Sequence, residues 1–582
     1  MRVNNVFLSH RLSFCRVAST NSLSVYPNPG LRCFSAPSTM ASKPLKHRRV
    51  VSSFIFKYDN GKPSVALFRR SGKVNTYQHH LAPISGSIDE TDASPLAAAW
   101  REISEETTLT PASLVLSRQG KDYSFEDQSI GRSWTIYPFA FRLKTVQEGG
   151  KGEQGIQIDW EHEGWNWYDP LKVEDSDDFG GVPRLAESLR RVWFEKDLGD
   201  AAGAVLAEGL EKLKNDHQSG ARQLAGVAMQ IFREVISRLD AQVSTEEWWA
   251  KVRFAAWHIW KNGRESMGAA IMNVLLSALK SIEDTVKQHA ADPKSSHSMK
   301  WRDTVVEDLK RSISLRNTES SRLVTQALAD YLESTYASKL ASKEPLAVLT
   351  MSESSTISHS IRHLVQKSGF ALDLRVLESR PLYEGVSLAG LFAEDIVAVT
   401  RSQRDDGSSV PPKTKISVFS DASAALAAKG VDLVIIGTDR IASNGAVSNK
   451  TGSLPTILSA RHVAASSGKQ VKVIVLAESE KVAPPESPDK HVVEDNDPDQ
   501  TSRAWSAEYN SERVRRGGEV LKNMSKGTND LVEVEVHNVF FEWVSAELID
   551  LYLTEFGQWT VEDISKHSDR LATEEQRLFG DL

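Results

Sequence analysis

Three glutamates and an arginine lie together at positions 101–106 of this 582-residue sequence. A serine followed by a proline at 94–95 predicts the start of a helix that carries them. At about 100° per residue, Glu102, Glu105 and Glu106 fall on one face of that helix. Carboxylates so close repel one another, and a hard cation such as Mg²⁺ or Mn²⁺ relieves the repulsion by taking several oxygen ligands. The pattern predicts a metal site; a solvated acidic helix face is the alternative.

Arg101 precedes Glu105 by one helical turn, so its guanidinium group can brace that carboxylate. Upstream, a strand-like stretch ends in a glycine-bearing loop at Gly86. The segment resembles the Nudix box, G-x5-E-x7-R-E-U-x-E-E-x-G-U, in which U is aliphatic. Gly86 corresponds to the first glycine of the box. The second half of the box corresponds to Arg101, Glu102, Ile103, Glu105, Glu106 and Leu109.

Two positions depart from the box. The loop carries one extra residue, so the first glutamate of the motif falls on Ala93, with Asp92 and Glu90 nearby. Thr108 replaces the second glycine. The half that is expected to bind metal is therefore intact, whereas the loop that supports it is altered.

The resemblance covers roughly residues 45–185 and implies a Nudix hydrolase domain with an α/β/α sandwich fold. Such a domain hydrolyses a nucleoside diphosphate linked to another group and uses Mg²⁺ or Mn²⁺. The implied metal ligands are Glu102, Glu105 and Glu106. The implied catalytic residues are Glu105, Glu102 and Arg101, with Gly86 at the substrate.

The aromatic stretch at 160–170 resembles the closing strand of Nudix domains. An acidic residue on that strand often lies near the metal site, which makes Glu163 a further catalytic candidate. A solvent-exposed surface charge is the alternative for Glu163.

Composition excludes several classes of protein. The chain is 40% hydrophobic and 25% charged, which is ordinary for a folded protein with several cores. A formal net charge of −7 argues against general nucleic-acid binding. No uninterrupted apolar run approaches the ~18 residues of a membrane span, so we expect no membrane-embedded segment.

The first 44 residues differ from the rest of the chain. No Asp or Glu occurs before residue 58, while arginines alternate with Ser, Leu, Phe and Val. This composition is typical of a mitochondrial transit peptide. The alternatives are a disordered leader, or translation that starts at Met40 and leaves a cytoplasmic protein. Both cysteines, Cys15 and Cys33, lie in this segment, so the remaining chain has no thiol for a disulfide, a thiolate metal site or a nucleophile.

Two further regions follow. Residues 198–340 show apolar positions that recur every three or four residues, which predicts a bundle of helices. From residue 345, short apolar strand-like runs alternate with helical patterns. This alternation predicts a doubly wound, Rossmann-like parallel sheet, in which ligands bind at the carboxyl ends of the strands.

One predicted strand ends at 436 and leads into a glycine-rich stretch that contains Asp439, Asn449 and Lys450 before a helix begins. Glycine-rich backbone, a lysine and a helix N-terminus are features that can bind a phosphate. Asp439 could act as an acid or a base on a sugar. A plain connecting loop with a salt-bridged Asp–Arg pair is the alternative.

The stretch at 437–452 resembles the G-x-D-R-I-x-x-N-G-x-x-x-N-K-x-G segment of the initiation factor 2B alpha/beta/delta superfamily. This superfamily includes the methylthioribose-1-phosphate and ribose-1,5-bisphosphate isomerases. Arg380 lies in a segment that resembles the E-x-R-P-x-x-x-G loop, and 538–557 resembles the C-terminal signature. The likeness covers roughly 205–565. It implies phosphosugar or nucleotide binding by Arg380, Asn449 and Lys450, and self-association as a homodimer.

The isomerases carry an active cysteine after a strand, within T-x-C-N-[ST]-G. Ser352 occupies that position here, and Glu353 replaces the asparagine. A hydroxyl is far less acidic than a thiol and supplies no ready proton at neutral pH without help. We therefore expect Ser352 to contact a substrate and the domain to isomerise poorly.

Taken together, these patterns predict an α/β multidomain chain. We expect a leader at 1–44, a Nudix domain at 45–185, a helical domain at 186–340 and a Rossmann-like domain at 341–582. The expected function is Mg²⁺-dependent hydrolysis of a nucleoside diphosphate derivative, with phosphosugar or nucleotide binding further along the chain. The alternatives are a sugar-phosphate isomerase with an accessory Nudix domain, and a regulatory protein with neither activity.

Overall fold

The computed structural model describes residues 45–217, 219–240, 242–291, 300–405, 412–486, 494–525 and 531–582. The predicted leader at 1–44, with Met40 and both cysteines, lies outside the described residues, so its targeting role stays a prediction. Within the described ranges, no helix combines the length and apolar character needed to cross a bilayer.

The N-terminal domain is built on one seven-stranded mixed sheet. Its order is β3-β2-β1-β6-β4, with β5 paired to β6 and β7 paired to β2. The strands are β1 (Lys46–Asp59), β2 (Lys62–Arg70), β3 (Leu81–Ala82), β4 (Leu114–Gln119), β5 (Tyr123–Asp127), β6 (Arg132–Leu143) and β7 (His162–Tyr168). Helices α1 (Pro95–Thr107) and α2 (Leu185–Arg190) complete the domain.

Side chains alternate between the two faces of β1, and each face packs against a different helix. Val51 and Ile55 pack with Ile103 of α1, whereas Phe54 and Phe56 pack on the other side with residues of α2 such as Leu189. The domain is therefore the α/β/α sandwich that the sequence predicts. Because α2 packs on this sheet, the predicted boundary at 185 falls at the start of a helix that belongs to the N-terminal domain.

A helical region follows, as predicted. Its helices are α3 (Glu195–Leu198), α4 (Asp200–Asn215), α5 (Ala221–Arg238), α6 (Thr245–Asn262), α7 (Gly268–Ala291), α8 (Lys300–Thr335) and α9 (Ala337–Ser342). Side chains from α4, α5, α6 and α7 form one apolar core. The helix α8 contributes to this core through Val305 and Leu309, and its other end packs into the next domain through Leu328 and Leu332.

The C-terminal region contains a second seven-stranded sheet with the order β10-β9-β8-β11-β14-β16-β17. All its neighbouring strands are parallel except the β16–β17 pair. The strands are β8 (Leu346–Met351), β9 (Leu372–Leu377), β10 (Lys415–Phe419), β11 (Leu433–Ile436), β14 (Lys472–Leu476), β16 (Leu551–Thr554) and β17 (Gly557–Trp559).

Helices cover both faces of that sheet, which makes it doubly wound. Residues of α10 and α11 pack on one face, and residues of α12 and α13 pack on the other. The helices are α10 (Ser355–His363), α11 (Glu384–Asp405), α12 (Ala424–Ala427), α13 (Ser453–Ser466), α14 (Pro498–Ser502), α15 (Glu512–Ser525) and α16 (Val561–Phe579). The predicted fold class is confirmed.

A small antiparallel sheet, order β12-β13-β15, stands beside the large one. Its strands are β12 (Arg440–Ile441), β13 (Val447–Lys450) and β15 (Phe541–Val544). Asn449 and Lys450 therefore lie on a strand paired with Glu542 and Phe541. The sequence interpretation, which placed them in a glycine-rich connection, did not anticipate this sheet.

Candidate active site

Helix α1 presents the glutamate cluster. Ser94 caps its first turn, where its hydroxyl oxygen accepts a hydrogen bond from the Ala97 amide at 3.1 Å. Ala98, Ala99 and Ile103 on the inner face are buried against the sheet. Burial of that face fixes the rotation of the helix and directs the polar face toward the neighbouring loops.

Arg101 connects the helix to the loop after β3. Its guanidinium group donates to both carboxylate oxygens of Asp92, at 3.1 and 2.9 Å, and to the Ser87 carbonyl oxygen at 3.0 Å. It also reaches Glu102 at 2.8 Å and Glu105 at 3.2 Å. Asp92, six residues after Gly86 as the first glutamate is in the box, is therefore the loop carboxylate that Arg101 binds, and Ala93 is not. Counted from Gly86, the extra residue of the loop lies between Asp92 and Arg101.

Thr108 ends the helix in a left-handed conformation, with φ 58°, and its amide donates to the Ser104 carbonyl oxygen. Residues with a Cβ atom are strained in this region of φ and ψ, which is why glycine is favoured there. The left-handed conformation at this position explains why the box has a glycine there.

Glu102 lies directly against the backbone of Gly86. A Cβ atom added to Gly86 would fall on the carboxylate of Glu102. Burial raises the pKa of Glu102, although hydrogen bonding to Arg101 opposes that rise. The glycine is thus required because the carboxylate approaches the loop so closely.

Glu106 is turned inward and is almost fully buried. One of its oxygens lies 2.6 Å from Nε2 of His162, and its other oxygen has no hydrogen-bond partner among the described residues. Burial raises the pKa of Glu106 well above its ordinary value, and burial lowers the pKa of His162 to about 4. A neutral His162 can donate its Nε2 proton and hold the carboxylate in one orientation.

A cavity of about 410 Å³ opens beside the cluster. Gly86, Glu102 and Glu161 line one end of it. Aromatic side chains line the wall, namely Tyr77, Tyr123, Phe125, Trp134 and Trp160. Three arginines, Arg48, Arg70 and Arg132, also line it. The cavity thus combines carboxylates, guanidinium groups and flat apolar rings.

The acid that lines the cavity comes from the turn before the closing strand β7, and it is not the one that the sequence indicated. Glu163 points to the other side of β7, where it accepts a hydrogen bond from the Gly72 amide at 3.1 Å and lies 2.9 Å from His79. Glu161 lines the cavity, and burial together with Asp159 raises its pKa. The geometry therefore does not support the predicted catalytic role of Glu163. Strand alternation would place positions 161 and 163 on the same face, but Glu161 precedes β7 and the pairing with β2 shifts register at Glu163, so the two side chains diverge.

The carboxylates fit a hard divalent cation by their chemistry. Within the described ranges, no three His, Cys, Asp or Glu side chains are arranged to hold a metal as they stand. Burial raises the pKa of Glu102, and the neighbouring charges of Glu105 and Glu161 add to that rise. This mutual repulsion between oxygen donors is what Mg²⁺ or Mn²⁺ relieves. The three predicted ligands lie together on helix α1, and Arg101 is bonded to two of them, Glu102 and Glu105.

In the C-terminal region, Ser352, Arg380 and Asp439 follow the neighbouring strands β8, β9 and β11. Parallel strands place their carboxyl ends at one edge of a sheet. Ser352 is buried with φ 65°, and its amide donates to the Ser379 hydroxyl at 2.7 Å. The side chain of Arg380 is exposed, and its amide donates to Asp421 at 2.8 Å.

Asp439 is half-buried, and its backbone amide donates to the Ser448 carbonyl oxygen at 2.9 Å. It also lies near the buried ammonium group of Lys481. Burial opposes that charge, yet Glu478 and Asp439 hold the pKa of Lys481 above its ordinary value. Asp439 therefore helps to stabilise an internal cation.

The groups predicted to bind phosphate already have partners within the chain. The Asn449 amide donates to the Ser453 hydroxyl at 2.8 Å, and Lys450 pairs with Glu384 at 3.0 Å. At the start of α13, one oxygen of Glu542 accepts hydrogen bonds from the Gly452 and Leu454 amides, at 2.6 and 3.0 Å. Carboxylates of the chain itself thus occupy both Lys450 and the N-terminus of α13, the two groups that the sequence predicts to bind a phosphate.

The fold and the geometry define a sandwich domain with a glutamate helix, followed by helices and a doubly wound sheet. Residues 46–191 match the NUDIX domain family, and residues 411–561 match the Initiation factor 2 subunit family. The chain therefore contains a NUDIX domain and, further along, a region of the Initiation factor 2 subunit family. Both resemblances seen in the sequence are confirmed.

A curated protein is similar to part of this chain. The methylthioribose-1-phosphate isomerase of Stutzerimonas stutzeri (strain A1501) is 30% identical over 152 residues. That match covers 26% of this chain and 34% of the isomerase, so the chain spans about a third of that relative.

Two solved structures show a weaker likeness. The Pyrococcus horikoshii OT3 translation initiation factor eIF-2B is 18% identical with a TM-score of 0.38, covering 61% of this chain and 96% of its own. The 5-methylthioribose 1-phosphate isomerase of the same organism is 19% identical with a TM-score of 0.39, covering 63% and 87%.

Proposed function

We propose that the NUDIX domain hydrolyses a nucleoside diphosphate linked to another group, with Mg²⁺ or Mn²⁺. One observation carries the proposal: Glu102 and Glu161 line the same cavity as aromatic rings and arginines. Aromatic rings stack on nucleoside bases, and guanidinium groups match the oxygens of phosphates. The carboxylates at one end then lie where the diphosphate would bind.

A divalent cation held by Glu102, Glu105 and Glu106 would neutralise the diphosphate and orient the attacking water. His162 fixes the orientation of Glu106, because one oxygen of Glu106 is bonded to the imidazole and the other has no hydrogen-bond partner in the part of the chain that the structure describes. Glu102 lines the cavity, so its carboxylate is also placed to accept a proton from the attacking water. Arg101 braces Glu102 and Glu105 from the loop side.

The test is a screen of nucleoside diphosphate derivatives with Mg²⁺ or Mn²⁺. We expect the protein to hydrolyse at least one of them, and Glu105→Gln to lower turnover by roughly 100-fold or more, because metal-held charge stabilisation is worth several kcal/mol. Glu90→Gln, in the exposed part of the same loop, is the matched control and should retain activity. Equal turnover by the parent protein and Glu105→Gln would contradict the proposal.

For the C-terminal region we propose binding of a phosphosugar or nucleotide without efficient isomerisation. The similarity to a methylthioribose-1-phosphate isomerase supports a phosphorylated ligand, and Ser352 in place of the expected cysteine supports the lack of turnover. An isomerase with an accessory NUDIX domain, or a non-catalytic protein resembling translation initiation factor 2B, are the alternatives. Self-association as a homodimer through this region is part of the proposal, and sedimentation velocity tests it.

The ligand proposal is tested with methylthioribose 1-phosphate and ribose 1,5-bisphosphate. We expect at least one of them to raise the midpoint of thermal unfolding by mass action, with no ketose formed on the timescale of enzyme turnover. Lys450→Ala should reduce the shift, because in this proposal the lysine exchanges its pairing with Glu384 for the phosphate. Lys469→Ala, in an exposed turn, is the control. Rapid formation of ketose by the parent protein would contradict the argument from Ser352.

A further inference from the structure

The end of the cavity remote from the carboxylates holds two guanidinium groups. Arg48 and Arg132 line the cavity, and neither forms an ion pair within the described residues. The Nε atom of Arg48 is buried and has no hydrogen-bond partner there. A buried donor without a partner is costly unless a ligand satisfies it.

The sheet arranges these arginines beside the aromatic rings. On β6, Trp134 pairs across the parallel ladder with Arg48 and across the antiparallel ladder with Phe125. The phenyl ring of Phe125, the indole of Trp134 and the guanidinium group of Arg48 therefore lie side by side on one face of the sheet. The guanidinium carbon of Arg132 lies 5.5 Å from the centre of the Trp134 ring.

The spacing along β1 matches the length of a nucleotide. Arg48 and Ser52 both line the cavity and lie four residues apart on one strand, which corresponds to about 13 Å at 3.3 Å per residue. An extended nucleoside diphosphate has a comparable length. A diphosphate near Glu102 would place its base over Trp134 and Phe125, with the outer edge of the base toward Arg48 and Arg132.

Around Arg48 and Arg132, the described residues that line the cavity offer hydrogen-bond donors and include no carboxylate. Asp127 is the acid in the next row, opposite Arg132, and its oxygens accept from the Tyr77 hydroxyl at 2.8 Å and from Ser129. A guanidinium group only donates. Guanine presents two acceptors, O6 and N7, to such a fork, whereas adenine presents one acceptor and an amino donor.

We propose that this cavity selects a purine with a carbonyl group at position 6, guanine or hypoxanthine, over adenine. The proposal rests on the proposed function, in which the same cavity binds the nucleoside diphosphate part of the substrate. It adds the base that Arg48 and Arg132 recognise.

The test is isothermal titration calorimetry of the full chain with GDP and with ADP, in the absence of divalent metal. We expect GDP to bind about tenfold more tightly than ADP, since a bidentate arginine contact is worth roughly 1–3 kcal/mol of discrimination. Arg48→Met and Arg132→Met should each reduce that ratio. The matched control is Arg49→Met, because Arg49 is the next residue on β1, is exposed and contacts Tyr137 instead of the cavity.

Three outcomes would overturn the proposal. They are equal affinity of the parent protein for GDP and ADP, an equal loss of both affinities in Arg48→Met, and a loss of preference in Arg49→Met as large as in Arg48→Met. The second outcome would assign Arg48 to the phosphates. A preference for GDP that depends on Arg48, in a protein that hydrolyses nothing in the screen, would support base selection and refute only the hydrolase proposal.

Discussion

Glu161 and Glu163 show how little separates a residue that lines the cavity from one that does not. They are two positions apart on either side of His162, yet one faces the cavity and the other pairs with His79. The bend at the start of β7, where the pairing with β2 shifts register at Arg69 and Arg70, separates their directions. A sequence pattern gives strand alternation and cannot reveal such a shift.

The first prediction compares these two acids. Glu161→Gln should reduce hydrolysis by about tenfold or more, because it removes one of the carboxylates beside the diphosphate position. Glu163→Gln should leave turnover close to that of the parent protein. Turnover of the best substrate from the screen is measured for both variants under equal Mg²⁺. Similar losses in the two variants would refute the assignment drawn from the cavity.

Features that depend only on residues close together in the chain could be predicted from the sequence. The serine cap, the face shared by Glu102, Glu105 and Glu106, and the bracing of Glu105 by Arg101 all follow from spacing along one helix. The pairing of Lys450 with Glu384 joins residues 66 positions apart, and no local pattern indicates it. The same holds for Glu542 at the start of α13.

At the scale of single elements, helix α1 carries backbone strain at its C-terminal end. It ends at Thr108 in a left-handed conformation, where glycine occurs in the Nudix box. The side chain of Thr108 offsets little of this strain, because its hydroxyl donates only a long hydrogen bond, 3.4 Å, to the Gly155 carbonyl oxygen.

We predict that Thr108→Gly stabilises the domain by about 1 kcal/mol, because it removes the left-handed strain of a residue with a Cβ atom. Ser104→Gly, at an exposed position inside the same helix, should destabilise it by roughly 0.5–1 kcal/mol. Urea denaturation of both variants beside the parent protein measures the two shifts. Two shifts of the same sign would show that the end of α1 is not strained as described.

Most elements were predictable because their periodicity is strong. The strands of the parallel sheet and the helices of the middle region follow from apolar runs and from apolar positions repeated every three or four residues. The small sheet formed by β12, β13 and β15 was missed, because its strands are two to four residues long and one comes from about 90 residues further along the chain.

At the scale of the whole molecule, the NUDIX domain is attached to the helical region by specific hydrogen bonds. The side-chain amide of Asn262 accepts from the Gln119 backbone amide at 2.7 Å and donates to the Gln119 carbonyl oxygen at 2.9 Å. Arg118 forms a two-pronged pair with Glu195, at 2.8 and 2.7 Å. The edge strand β4 is thus tied to α6 and α3.

Asn262→Ala should lower the free energy of unfolding by about 1–3 kcal/mol, because it leaves two backbone groups of Gln119 without partners. Gln119→Ala is the matched control: it keeps those backbone bonds and loses only the side-chain bond to the Lys261 carbonyl oxygen, at 2.9 Å. Its cost should be smaller. Unfolding monitored by tryptophan fluorescence compares the two. A larger loss in Gln119→Ala would refute the proposed clamp.

The shared core of the helical region has a consequence for synthesis of the chain. Phe540, Phe541, Leu578 and Phe579 pack into the core formed by α4 to α7, although they are made several hundred residues later. The N-terminal sheet has all its strands by residue 168 and can close early. The apolar surface of the middle helices that these four side chains cover has to wait until residues 540–579 are made. During translation that surface stays exposed, and such surfaces are prone to aggregation and are recognised by chaperones.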